Sequence, residues 1–303
     1  EKTFHIFQHQ NWKTLLKSIL LAPMTIKKYN RFKTFSRQYH HLSQKQYHQE
    51  VELGELQKEY QAFITGSDQV WNTRVTEGLL DSYTLNFVTE PNIKKISYAA
   101  SIGNSTIEEE YRQCYQEKLD KLDYISVREE TAKMVLEKIL QKPIEVVLDP
   151  TLLLQQEEWN EIAIDPKKNN KYILVYCLEE NKELNAMVSY MAHKLKLDIV
   201  TLAIKNKYGS NTSCAYTSGP REFIGLFKNA EYVVTNSFHG TTFSIIYHKK
   251  FYTVPHSNRG SRMIDLLNKL ELNHRIVHTA SELQKKELEE EIDYSKVDEI
   301  VEN

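Results

Sequence analysis

The sequence predicts an α/β protein of two doubly wound domains facing a cleft. Two observations predict it. From residue 61 on, short apolar runs alternate with stretches of helical periodicity, the pattern of strands joined by crossover helices into parallel sheets. A polar segment from Gln156 to Asn170, holding Pro166, Lys167, Lys168, Asn169 and Asn170, interrupts that alternation before it resumes. The predicted domains are residues 1–164 and 165–303, a division that suits a chain of 303 residues.

Taken in order, the first 50 residues are polar, and Lys13, Lys17, Lys27, Lys28, Arg31, Lys33 and Arg37 interleave with Leu15, Leu16, Ile19, Leu20, Leu21 and Phe32. This predicts one or two basic amphipathic helices. Such a helix suits peripheral contact with an anionic membrane surface, and equally suits a solvated helix packed on its own domain. Strands are expected at 62–65, 96–100, 124–127 and 144–148, with a helix over 107–121 and another after Arg128. In the second half, strands are expected at 172–176, 198–202, 232–235 and 251–254, and helices over 180–195, 241–248 and 260–270. Gly219-Pro220-Arg221-Glu222 opens a further helix, with Phe223, Leu226, Phe227 and Ala230 on one apolar face. The tail from 281 is charged and partly helical.

Composition narrows the function classes. Hydrophobic residues make up 41% of the chain, enough for real cores. With 39 basic and 41 acidic residues the net charge is −2, which offers no basic excess for nucleic acid. Cys114, Cys177 and Cys214 are few and widely spaced, so neither a disulfide framework nor a zinc site is expected, and reduced thiols point to a cytoplasmic location. That location is compatible with contact at the inner face of the membrane. No apolar run approaches a membrane span, and no Walker-type loop, GxGxxG, HExxH, GxSxG or metal-ligand spacing occurs. No metal and no cofactor is expected.

In open α/β sheets ligands bind beyond the carboxyl ends of the strands. Five polar clusters fall at such ends: Gly66-Ser67-Asp68, Ser101-Ile102-Gly103, Arg128-Glu129, Asp149-Pro150-Thr151 and Ser237-Phe238-His239-Gly240. The last is the sharpest. A helix start favours an anion, Gly240 would let a ligand approach the backbone, and His239 can move a proton near neutral pH. Ser237, Phe238 and Thr241 join this candidate site. Arg128 follows a strand, and Arg259 and Arg262 flank a loop that leads into a helix; guanidinium groups suit carboxylate and phosphate, and salt bridges to neighbouring acids are the alternative. Asp68, beside Ser67, is a candidate to orient a base or hold a sugar hydroxyl. Asp149 reads as a structural turn residue.

These clusters together resemble the polysaccharide pyruvyl transferase family. The blocks are Ala62 to Asn72, Ser97 to Gly103, Ile125 to Glu129, Leu148 to Leu153, and Asn236 to Thr241 with Phe243-Ser244-Ile245, so that the resemblance runs from about residue 60 to 275. It implies a GT-B-like fold of two Rossmann-like domains. It also implies transfer of a pyruvyl group from phosphoenolpyruvate to a pair of hydroxyls on a bacterial surface glycan or its lipid-linked precursor. His239 is then the expected acid, and phosphoenolpyruvate is a donor substrate rather than a cofactor. Family members carry Arg-Leu before this histidine where the chain has Ser237-Phe238, so either Arg128, Arg259 or Arg262 supplies the charge instead or the donor is bound differently. Members also begin with a strand and a Gly/Asn loop absent here, so the native protein is expected to be longer. Two other readings stay open: a nucleotide-sugar glycosyltransferase of the same fold, and a non-catalytic scaffold, which the serine at 237 would suit.

Overall fold

The computed structural model describes residues 12–167, 170–204, 208–209, 211–255 and 260–302, with side chains from residue 19 onward. Its strands are β1 (Ala62–Thr65), β2 (Lys94–Ala100), β3 (Tyr124–Val127), β4 (Ile144–Val146), β5 (Tyr172–Tyr176), β6 (Asp198–Thr201), β7 (Thr212–Cys214), β8 (Tyr232–Thr235) and β9 (Lys250–Thr253). The principal helices are α1 (Trp12–Tyr39), α2 (Glu109–Leu119), α3 (Glu130–Leu136), α4 (Gln156–Ile162), α5 (Lys182–Leu195), α6 (Pro220–Asn229), α7 (Phe238–Ile246), α8 (Ser261–Lys269) and α9 (Tyr294–Glu302).

Every strand pairing among the described residues is parallel. The strands form two sheets, in the orders β1-β2-β3-β4 and β7-β6-β5-β8-β9. The chain is thus an α/β protein of two Rossmann-like units. The units are not consecutive in sequence. The β1–β4 unit comprises Gln44–Leu154, Pro255–Ile276 and Asp293–Asn303; the β5–β9 unit comprises Glu1–Ser43, Gln155–Val254 and Val277–Ile292. A single boundary between 164 and 165 does not describe this partition, because α1 packs against α6 and α8 against α3, each far away in sequence.

In the β1–β4 unit, apolar residues from the strands (Ile125, Val127, Ile144) meet those from the helices (Leu119, Leu136) around Trp71. A register shift in β2 between Ser97 and Ala100 is stapled by two serines: Ser97 Oγ donates to the Ser126 carbonyl at 3.1 Å, and Ser126 Oγ to the Ser97 carbonyl at 2.8 Å. In the β5–β9 unit the core is built from Ile173, Val175, Ile199 and Val234 against Leu184, Met187 and Met191. Here the strands step outward from β5 through β6 to β7, then return to β8 and β9 on the other side of β5. The switch point, where such sheets bind ligands, lies between the carboxyl ends of β5 and β8.

Several elements differ from the sequence expectation. The segment after Gln155 is not a linker: Glu158 accepts from the Gln155 amide at 2.9 Å and starts α4, which packs on α6. Lys168 and Asn169 lie outside the described residues. Strand β7 was not foreseen, since its three residues carry no apolar run. The expected helix at 241 begins three residues earlier, at Phe238, because Ser237 already caps it.

Candidate functional site

The carboxyl ends of β1 to β4 bring together most of the charged candidates. Arg128 leaves β3 with its side chain only 2% exposed, and its Nη1 donates to Asp149 Oδ2 at 2.6 Å. The carboxylates of Asp68 and Glu129 lie 3.6 and 3.8 Å from the same guanidinium. Asp149, past the end of β4, is buried and heavily bonded: it also accepts from Ser67 Oγ at 3.3 Å and from the Thr151 amide and hydroxyl at 3.1 and 2.7 Å. Instead of presenting an open cation to a ligand, Arg128 is enclosed by acids, and it locks the ends of β1, β3 and β4 to one another.

Asp68 is the accessible member. Its side chain is 66% exposed, and Arg262 Nη1 from α8 lies 3.9 Å away on one oxygen that also faces Arg128. The loop that carries it is tightly determined. Ser101 donates its amide to the Asp68 carbonyl at 2.9 Å, and Trp71 donates its amide to the Ser101 carbonyl at 3.2 Å. The Gly66–Ser67 peptide is cis, and Gly66 has φ 113°. A Cβ at Gly66 would lie 2.1 Å from the Tyr98 carbonyl oxygen of the neighbouring strand, a contact no side chain tolerates. Gly66→Ala is therefore expected to cost more than about 3 kcal/mol and to displace Ser67 and Asp68. Chemical unfolding checks it; a loss under about 1 kcal/mol contradicts the packing described.

Two further residues complete this cluster: Asp265, which the sequence reading did not name, and Glu129, which it named only beside Arg128. Asp265 on α8 accepts from the Thr131 amide at 3.2 Å and hydroxyl at 2.8 Å, capping the first turn of α3 and seating the helix that carries Arg262. Nothing in the sequence around Asp265 signals that contact. Glu129 is buried, and its Oε1 accepts from Ser101 Oγ. Burial is the chief cause that pushes its carboxyl above the ordinary 4.5, against the opposing pull of Arg128 and the Ser101 hydroxyl. A carboxyl raised on folding keeps its proton in the folded chain after the unfolded chain has lost it. Stability then falls as pH rises from the ordinary value through the raised one. Glu129→Gln is expected to gain on the wild type across that interval, read as urea midpoints against pH; a difference that does not change with pH contradicts it.

The switch point of the β5–β9 unit holds the other candidates. Asn236 ties the two strand ends, accepting from the Leu178 amide at 2.7 Å and donating to the Glu179 carbonyl at 3.1 Å. Ser237 caps α7: its Oγ accepts from the Gly240 amide at 3.3 Å and its carbonyl from the Thr241 amide at 2.9 Å. Thr241 Oγ1 pairs with Thr253 Oγ1 at 2.9 Å, and Phe238 is buried. Gly240 does not admit a ligand to the backbone as expected. A Cβ there would meet Thr235 Oγ1 at 2.2 Å, so the glycine lets α7 lie against β8. The side chains of Ser237, Phe238 and Thr241 thus build the helix start. His239, half-buried in the first turn with its ring 5.5 Å from Phe238, is the side chain of the segment that a ligand can reach. The N-terminus of α7 carries the positive end of the helix dipole there. Arg259 lies outside the described residues. Among the described residues no cluster of three or more His, Cys, Asp or Glu side chains is placed to hold a metal ion. No described helix is long and apolar enough to cross a membrane.

A sequence model of the family described as polysaccharide pyruvyl transferase matches residues 3–258. No curated protein matches the chain. Among solved structures, the UDP-GlcNAc 2-epimerase of Methanocaldococcus jannaschii in complex with UDP-GlcNAc and UDP is similar at 16% identity and a TM-score of 0.45. The match covers 84% of this chain and 78% of that one. A second structure of the same epimerase matches at 16% identity and a TM-score of 0.44, over 84% and 73% of the two chains.

Proposed function

The chain belongs to the polysaccharide pyruvyl transferase family, and on that premise we propose that it transfers a pyruvyl group from phosphoenolpyruvate to two hydroxyls of a surface glycan or its lipid-linked precursor. The observation that carries this reading is the placement of His239 in the first turn of α7, at the switch point between β5 and β8. The donor bears a carboxylate and a phosphate, and a helix N-terminus is suited to an anion. The imidazole beside it would protonate the methylene carbon of the donor. C2 then becomes electron-poor, and a sugar hydroxyl bonds to it and gives up its proton. The bond from C2 to the phosphate oxygen breaks, releasing inorganic phosphate. The second hydroxyl closes the ketal and releases the last proton. In the other unit, Asp68 is the carboxylate we assign to a sugar hydroxyl, on the strength of its exposure and fixed loop. Arg128 and Arg262 act here by holding Asp68, not as the donor's anion ligands. Phosphoenolpyruvate enters as a substrate, and no cofactor enters the scheme.

Ligand-observed NMR tests the donor. Phosphoenolpyruvate signals are expected to broaden with the wild-type chain and to recover with His239→Ala. A response to nucleotide sugars alone would replace this reading with a glycosyltransferase, and silence towards both would replace it with a scaffold.

A further inference from the structure

The positive charge of the chain is unevenly distributed. Residues 2–49 contain nine lysines and arginines and no aspartate or glutamate; since the whole chain is −2, everything outside that stretch sums to −11. Within it, α1 runs for 28 residues without an acidic side chain. One side of this helix is seated on its own unit. Arg31 Nε pairs with Glu222 at 3.0 Å, Arg31 Nη1 donates to the Thr217 carbonyl at 2.8 Å, and Lys28 Nζ stands 4.7 Å over the Tyr216 ring.

A different side is exposed. Ile19, Ile26 and Lys33 recur at seven-residue spacing, and Tyr29 and Arg37 fall in the same sector at about 100° per residue. Ile19 and Ile26 are each 54% exposed, a costly placement for an isoleucine in water. Lys27, Lys33 and Arg37, beside and within this sector, have no acidic partner among the described residues. A cavity of about 610 Å³ opens next to it, lined by Tyr29, Phe32, Lys33, Arg37, His40 and Leu42 among others.

We propose that this face of α1 docks on an anionic phospholipid surface, with Ile19 and Ile26 entering the boundary between headgroups and acyl chains and the cations meeting lipid phosphates. Exposed aliphatic side chains flanked by cations, on a helix devoid of acids, are the pattern of an interfacial helix. Charge complementarity favours a bilayer over a two-fold dimer through this face, which would set the cations of one copy against those of the other. The proposal is independent of the donor assigned above. It does fit an acceptor that is itself carried on a lipid.

Flotation of the full chain with vesicles of one-third phosphatidylglycerol in phosphatidylcholine tests it, beside vesicles of phosphatidylcholine alone. The chain is expected to float with the anionic vesicles only, and to be released when salt rises from about 0.05 M to about 0.5 M. Reversing Lys27, Lys33 and Arg37 together to Glu is expected to lower the partition constant by at least a hundred-fold, since each cation near such a surface is worth roughly five-fold. Ile19→Asp with Ile26→Asp weakens it as well, whereas the control Lys194→Glu does not. Circular dichroism establishes that each variant is folded, and the salt series needs no variant. Failure to float with anionic vesicles at low salt, equal binding to neutral ones, or retention by the triple variant overturns the proposal. So does a concentration-dependent dimer that the triple variant abolishes in a chain that does not float.

Discussion

His239→Ala is expected to lower phosphate release from phosphoenolpyruvate, measured with the native glycan acceptor, by roughly a hundred- to ten-thousand-fold in kcat, the range general acid catalysis supplies. The fold should survive the change. The helix start depends on Ser237, Gly240 and Thr241, which keep their bonds to one another and to β8 and β9 when the imidazole is removed. A stability change beyond about 1 kcal/mol would assign His239 to the architecture instead. His239→Gln, which can hydrogen-bond but not transfer a proton in this range, should be nearly as inactive as the alanine variant.

Asp149→Ala is expected to be the most destabilising single substitution in the β1–β4 unit. It removes the 2.6 Å partner of a guanidinium that is buried beside it, and it strips the cap from the turn at Pro150–Leu153. Leaving a buried charge without its partner costs about 3–5 kcal/mol, and loss of a cap about 1 kcal/mol more. The fluorescence of Trp71, buried in the same unit, reports the urea midpoint. Asp149→Asn keeps oxygen acceptance from Thr151 but not the charge, and should fall between the two. A loss under about 1 kcal/mol for the alanine variant would mean that Asp68 and Glu129 carry the charge of Arg128 unaided.

The alternation of apolar runs and helical periodicity was enough to place eight of the nine strands among the described residues and to mark the strand ends where the polar clusters gather. That reasoning works because parallel strands are short, apolar and bounded by turn residues, all local properties. What it missed is non-local. Arg128 looks like a cation awaiting an anion until β4 returns 21 residues later and places Asp149 against it. Asp265 meets Thr131 across 134 residues, with nothing in either neighbourhood to announce it. Gly240 shows a different failure: a glycine before an expected helix reads as room for a ligand. Its meaning here, close approach of α7 to Thr235, depends on where β8 runs. Strand β7, three residues long and without an apolar run, carries no signal at all. By contrast, α4 was legible in principle, since Gln155 followed by Glu158 is a capping pair.

The most direct test of the central claim is to watch His239 itself while donor is added. In a chain labelled with ¹³C-histidine, the ring resonance missing from His239→Asn identifies that residue among the 11 histidines. Phosphoenolpyruvate is expected to shift this resonance, whereas UDP-GlcNAc leaves it in place. A His239 resonance that ignores phosphoenolpyruvate, or that responds to the nucleotide sugar instead, contradicts the assignment of this helix start as the pyruvyl donor site.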